Sequence, residues 1–219
     1  MYLWNRLLMA SPAEFTEVAP ALVDAVEYVN SVSAYDFSLW ATVLGQTSQF
    51  GVSALCPDFG PFSDEMARRG REDETFGGKV AAVAACMDGS PEDTLWRNMH
   101  STGNWSEVPH VLSNVMIEPP AGQFAAVLAW AVDLTTHLGE QHGAVSAVGA
   151  SAWGRPNSAR MIFGYDSVQS FQERTEAAQE DAGFNERFAA GAELGQPVNL
   201  ETNLLRRLIW PSAFDSIRQ

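Results

Sequence analysis

Two arginines lie in matching apolar runs, Arg97 in "EDTLWRNMH" and Arg206 in "ETNLLRRLI". Each closes the spacing Glu-x-x-Leu-x-Arg: Glu92, Leu95 and Arg97, then Glu201, Leu204 and Arg206, 109 residues further on. A guanidinium offers a planar fork of N–H donors suited to carboxylates and other anions. Alternate residues of a strand share a face, so Leu95, Arg97 and Met99 group together, as do Leu204, Arg206 and Leu208. A charge held among such neighbours needs a partner, because burying it unpaired is costly. Two uses follow. Arg97 and Arg206 brace the two halves near a pseudo-twofold axis by pairing with carboxylates or carbonyls, or they clamp an anion in a ligand cavity together with the matched pair Asn5 and Asn114. The brace is the plainer reading.

Histidine and tryptophan supply the other candidates. His100 ends its strand-like run and is the histidine to test as a general acid or base; His110 stands at the far end of the same polar stretch. His137 and His142 bracket Glu140 in "HLGEQH" across Gly139. With no third or fourth ligand evident, they read as a solvated helix end, and no metal is expected. Trp4, Trp40 and Trp96 correspond to the smaller Ser113, Gly149 and Leu205. Core packing explains this most simply; the alternative has Trp40 and Trp96 lining an asymmetric ligand site. No Ser-His-Asp order, glycine-rich phosphate loop or HExxH pattern occurs.

The elements that would position these residues repeat. A shift of 109 residues matches Leu3, Asn5, Phe15, Val18, Asp24 and Gly45 to Leu112, Asn114, Phe124, Val127, Asp133 and Gly154. Each half opens with an alternating strand, 2–10 or 111–118. In the first half Ser11, Pro12 and Glu14 resemble a capping box, and Phe15, Val18, Leu22, Val26 and Val29 form a helical stripe that Pro20 should kink or break early. In the second, Phe124, Val127, Ala131, Leu134 and Leu138 repeat the stripe, with Gly139 predicted to end it. Two strands around a turn, two short helices and the Glu-x-x-Leu-x-Arg strand complete each half. This is the βαββαβ order of a ferredoxin-like unit. The predicted class is α+β: two tandem ferredoxin-like repeats whose antiparallel sheets pack face to face as an intrachain α+β barrel. The boundaries are 1–101 for the first repeat, 102–110 for a linker, 111–210 for the second repeat and 211–219 for a C-terminal tail, where Phe214 and Ile217 would latch onto a neighbour and allow a homo-oligomer.

Composition narrows the partners. The 219 residues carry a formal charge of −14, a field that repels nucleic acid and anionic membranes. Of thirteen basic residues only Lys79 is a lysine, at what reads as an exposed helix start. Cys56 and Cys86 lack CxxC partners, so a disulfide framework or zinc site is not expected and the reducing cytoplasm is the default. No apolar run is long enough to span a membrane.

The doubled βαββαβ order, with "FGYDSVQSFQERTEAAQEDAGFNERF" at 163–188, resembles the dimeric α+β barrel superfamily in a fused, two-repeat form. The glycine after the third strand, the capped helix and the glycine-aromatic opening of the next helix are similar to antibiotic-biosynthesis-monooxygenase-like and NIPSNAP-like members. The resemblance implies a superfamily that includes cofactor-free monooxygenases, haem enzymes, lactone isomerases and ligand sensors, so fold does not choose the function. None of the four histidines matches a haem axial-ligand motif, and no cofactor is expected. Three readings stand: a barrel binding a small apolar or aromatic ligand between its sheets, a cofactor-free monooxygenase-like enzyme, and a structural or interaction protein with a filled barrel.

Overall fold

The computed structural model describes residues 1–46, 48–105, 107, 109–194 and 200–209. The tail 211–219, with Phe214 and Ile217, lies outside them. The first repeat runs β1 (Tyr2–Met9), a 3-10 turn (Pro12–Glu14), α1 (Phe15–Val32), β2 (Phe37–Leu44), β3 (Gln49–Cys56), α2 (Phe59–Glu72), α3 (Glu74–Ala85) and β4 (Glu92–Thr102). The second runs β5 (Val111–Ile117), α4 (Phe124–His142), β6 (Val145–Trp153), β7 (Ala159–Tyr165), α5 (Val168–Glu180), α6 (Ala182–Glu193) and β8 (Leu200–Ile209). The strands follow the hydrogen-bonded order β1-β3-β2-β8-β5-β7-β6-β4, a closed barrel, in keeping with the barrel expected from the doubled βαββαβ pattern. Two compact units emerge. Of the described residues, the first contains those within Met1–Thr42 and Gln46–Leu95 together with 207–209, and the second those within Val43–Gly45 and Trp96–Arg206.

In the first unit Val18, Leu22, Val26 and Val29 of the predicted α1 stripe are buried against Leu8, Leu39, Phe50 and Val52 of the sheet, whereas Phe15, also predicted in that stripe, begins the helix and is 46% exposed. Full burial of each such side chain contributes about 1.5–3 kcal/mol. Phe62 of α2 is 2% exposed and meets Trp4, Tyr35, Phe37 and Phe59 at ring-centroid distances of 5.1–6.0 Å. Lys79 falls inside α3, not at its start, and pairs with Asp24 at 2.5 Å.

Local signals were realised unevenly. Ser167 caps α5 with a reciprocal capping box and Asp58 caps α2. Ser11 makes no side-chain cap bond: Pro12 initiates a 3-10 turn, and α1 begins only at Phe15, then continues through Pro20. Gly139 does not end α4. The helix continues to His142 and stops at Gly143, whose φ of 60° is the left-handed C-cap conformation. Gly139 instead lets β4 approach, since a Cβ there would lie 2.8 Å from Thr102 Cβ.

In the second unit Val127, Ala131, Leu134 and Leu138 of α4 pack on Ile117, Val148, Met161 and Phe163. Gly191 of α6 lies flat against Trp130, whose Nε1 donates to Arg187 O at 2.7 Å. An added Cβ would sit 2.5 Å from the indole. Gly191→Ala should therefore cost roughly 1–3 kcal/mol and lower the melting temperature, despite alanine's better helix propensity.

Tyr165, at the end of β7, stacks edge-on to Phe171 at 5.2 Å. Burial pushes its phenol up to about 12, with the Arg174 charge opposing. Because the unfolded phenol titrates near 10, the folded state holds this proton more tightly, and the associated stability is complete below pH ~10 and lost as pH rises towards ~12. Absorbance titration should show one of the four tyrosines ionising last, with stability falling by roughly 2–3 kcal/mol across that window.

Candidate functional site

Among the described polar residues buried in the second unit, Arg160 is the charged one. It stands on β7 opposite Gly149 of β6 on one side and Met116 of β5 on the other, and it is 7% exposed. Its Nε donates to Asn114 Oδ1, and its guanidinium lies over the Trp96 ring, 5.7 Å from the centroid. Gly149 is what admits the indole: a Cβ there would be 3.3 Å from Trp96 Cβ. Desolvation lowers the Arg160 guanidinium to about 10, partly countered by the Glu201 charge, so the group remains cationic at neutral pH.

Glu201 belongs to the same face but is otherwise engaged. Its carboxylate takes Arg155 Nη1 at 3.0 Å and Asn203 Nδ2 at 3.3 Å. Asn203 is the register partner of Asn114, and Glu201 of Met116. Arg160 thus has, among the described residues, one neutral acceptor and no ion pair. Two residues before it, Ser158 is fully buried and its hydroxyl has no hydrogen-bond partner among the described residues. A desolvated cation with a single amide acceptor is suited to receive an oxygen anion.

The residues singled out in the sequence are distributed as follows. Asn114 and Trp96, 8% and 3% exposed, are brought together by Arg160. Asn5 and Trp40 are buried in the first unit, where Trp40 Nε1 donates to Ser53 Oγ at 2.9 Å. Arg97 and Arg206 are exposed, so the cost of an unpaired interior charge does not constrain them. The buried arginine of the "RR" pair is Arg207, whose pKa burial lowers to about 10. Strand alternation sends neighbouring residues to opposite faces, and here the inward position falls one residue later than the motif suggests. His100 Nε2 bonds Thr136 Oγ1 of α4 at 3.0 Å; His110 is exposed. His137 and His142 do not form a solvated helix end, because both are mostly buried and bonded to Asp181.

Sequence reading missed Arg160, although the repeat holds its signal. A shift of 109 residues aligns Arg160 with Gly51 and Gly149 with Trp40. Gly51 and Trp40 are register partners on β3 and β2, just as Arg160 and Gly149 are on β7 and β6. One repeat places tryptophan against glycine and the other glycine against arginine, so the cation occupies the second repeat alone.

No family model and no curated protein matches this sequence. Solved structures do. A candidate monooxygenase from Fusobacterium nucleatum superposes with a TM-score of 0.74 at 11% identity, covering 95% of this chain and 93% of that one. An anthrone oxidase-like protein gives 0.64 at 10% identity, over 97% and 94% of the two chains. A chlorite dismutase mutant from Candidatus Nitrospira defluvii gives 0.56 at 8% identity, over 94% and 92%. These likenesses establish the fold, that of the dimeric α+β barrel proteins carried in a single chain.

Proposed function

We propose that this tandem α+β barrel binds a small, largely apolar or aromatic molecule through one ionisable oxygen at Arg160 of its second unit. The observation that carries the reading is the buried, charged Arg160 guanidinium with Asn114 Oδ1 as its hydrogen-bond partner and Trp96 across its face. An enolate, phenolate or similar oxygen would accept the guanidinium's other N–H donors and balance its charge, while Trp96 and the adjoining apolar strand residues receive the ligand's body. Asn114 and Trp96 enter through contact with Arg160; Arg97, Arg206, Asn5, Trp40 and His100 are not required. The acidic protein with two free, buried cysteines fits the cytoplasm, the compartment we assign.

A second reading, favoured by the likeness to a candidate monooxygenase and an anthrone oxidase-like protein, adds oxygen to such a ligand without a bound cofactor. Arg160 would hold the substrate as its oxyanion, the electron-rich form that reacts with dioxygen. For anthrone the balance is one dioxygen consumed, anthraquinone formed and one water released. The test titrates 8-anilinonaphthalene-1-sulfonate fluorescence into wild type and Arg160→Met, and follows anthrone oxygen uptake with an electrode. Saturable binding lost in the variant supports the site, and equal binding by both proteins refutes it. Oxygen uptake faster with wild type than with Arg160→Met supports the second reading; equal rates refute it.

A further inference from the structure

His137 and His142 of α4 and Asp181, the residue that opens α6, lie apart in sequence and meet in the second unit. Both imidazole Nε2 atoms are 2.8 Å from one carboxylate oxygen, Asp181 Oδ2. The three donor atoms all lie within 4.8 Å of one another. We propose that these residues form a divalent transition-metal site of the zinc class, which joins the end of α4 to the start of α6 and leaves a coordination position for water.

Three features build the site. The other oxygen of Asp181, Oδ1, accepts the backbone N–H groups of Gly183 at 2.7 Å and Phe184 at 3.3 Å, which fixes the carboxylate and aims Oδ2 at the histidines. Gly183 provides the space for the first imidazole, since a Cβ there would stand 2.7 Å from His137 Cε1. Gly143 ends α4 one residue after His142, so that imidazole comes from the last helical turn. Metal–ligand bonds of about 2.0–2.2 Å place tetrahedral donor atoms roughly 3.3 Å apart, so each 2.8 Å His–Asp contact would open by about half an ångström while the two imidazole nitrogens, within 4.8 Å of one another, settle to the same spacing. Two imidazoles and one carboxylate match zinc, cobalt or nickel; calcium and magnesium prefer oxygen donors throughout.

The competing account is a His-Asp-His hydrogen-bonded pin with no ion. Untagged, EDTA-treated full-length protein titrated with zinc chloride in a calorimeter separates the two. The proposal expects one ion per chain, undisturbed by millimolar magnesium, and a visible ligand-field absorption when cobalt replaces zinc. Asp181→Asn and His142→Gln should each weaken zinc by about tenfold or more. Asparagine also caps helices well, so Asp181→Asn should keep α6 and its circular dichroism. Failure of wild type to take up zinc or cobalt, or equal affinity in wild type and both variants, would overturn the proposal. Because Arg160 takes no part, anilinonaphthalenesulfonate binding is expected to be unchanged in Asp181→Asn.

Discussion

Arg160→Met is expected to keep the protein at least nearly as stable while abolishing capture of an aromatic anion. Replacing a buried charge with an apolar side chain of similar length is often neutral or stabilising by about 1–4 kcal/mol, because the desolvation cost disappears. Here the gain is offset by Asn114 Oδ1, which loses its donor and would cost about 1–3 kcal/mol if left unpaired. The double variant Arg160→Met/Asn114→Leu removes that offset and should be the more stable of the two. Binding moves in the opposite direction: loss of a charged hydrogen bond to the ligand costs roughly 2–5 kcal/mol, or about thirtyfold to several thousandfold in affinity. Chemical denaturation and probe titration on the same samples read both quantities. A structural brace predicts the reverse pattern, stability lowered by about 3–5 kcal/mol with binding intact. Arg97→Leu and Arg206→Leu are the controls. Both side chains are exposed, and each substitution should stay within about 0.5 kcal/mol of wild type.

The uneven legibility of this site has a physical basis. Hydrophobic periodicity is local, so the opening strands expected at 2–10 and 111–118 appear as β1 at Tyr2–Met9 and β5 at Val111–Ile117. The stripes of α1 and α4 were equally legible, because a helix can bury only one face. Which strand arginine is buried is a question of facing, and facing inverts with a single step of register. Arg206 and Arg207 are adjacent in sequence yet exposed and buried respectively, and composition gives no means of choosing between them. The meeting of Asp181 with His137 and His142 depends on how α4 packs against α6, a tertiary contact that no local spacing encodes. Gly139 misled for a related reason: its missing side chain serves the close approach of Thr102, not a helix end. The exchange of Trp40 and Gly51 for Gly149 and Arg160 was visible in principle. Finding it requires the cross-strand register as well as the repeat, because the informative unit is a pair of neighbours on two strands.

That exchange yields the largest expected loss of stability. Trp40 is 3% exposed, its indole N–H is taken by Ser53 Oγ at 2.9 Å, and its β-carbon is 3.8 Å from where a Gly51 Cβ would stand. Trp40→Ala removes a buried aromatic and leaves Ser53 without this donor, so it should cost roughly 3–5 kcal/mol in a urea melt. Collapse onto Gly51 cannot fill the gap, since Gly51 has no side chain to move into it. The opposite change, Gly149→Trp, should also destabilise, by overpacking: even an added Cβ would lie 3.3 Å from Trp96 Cβ, and the cation at the neighbouring register position would have to shift. The two repeats therefore hold complementary solutions at the same pair of sites, and neither can be converted to the other one residue at a time. Binding distinguishes their roles. Trp40→Phe should retain most of the stability and all of the probe affinity, because Trp40 lies in the first unit with its polar atom satisfied, whereas Trp96→Leu uncovers the face of Arg160 and should weaken the probe severalfold. Weaker binding in Trp40→Phe would instead place Trp40 in the ligand site.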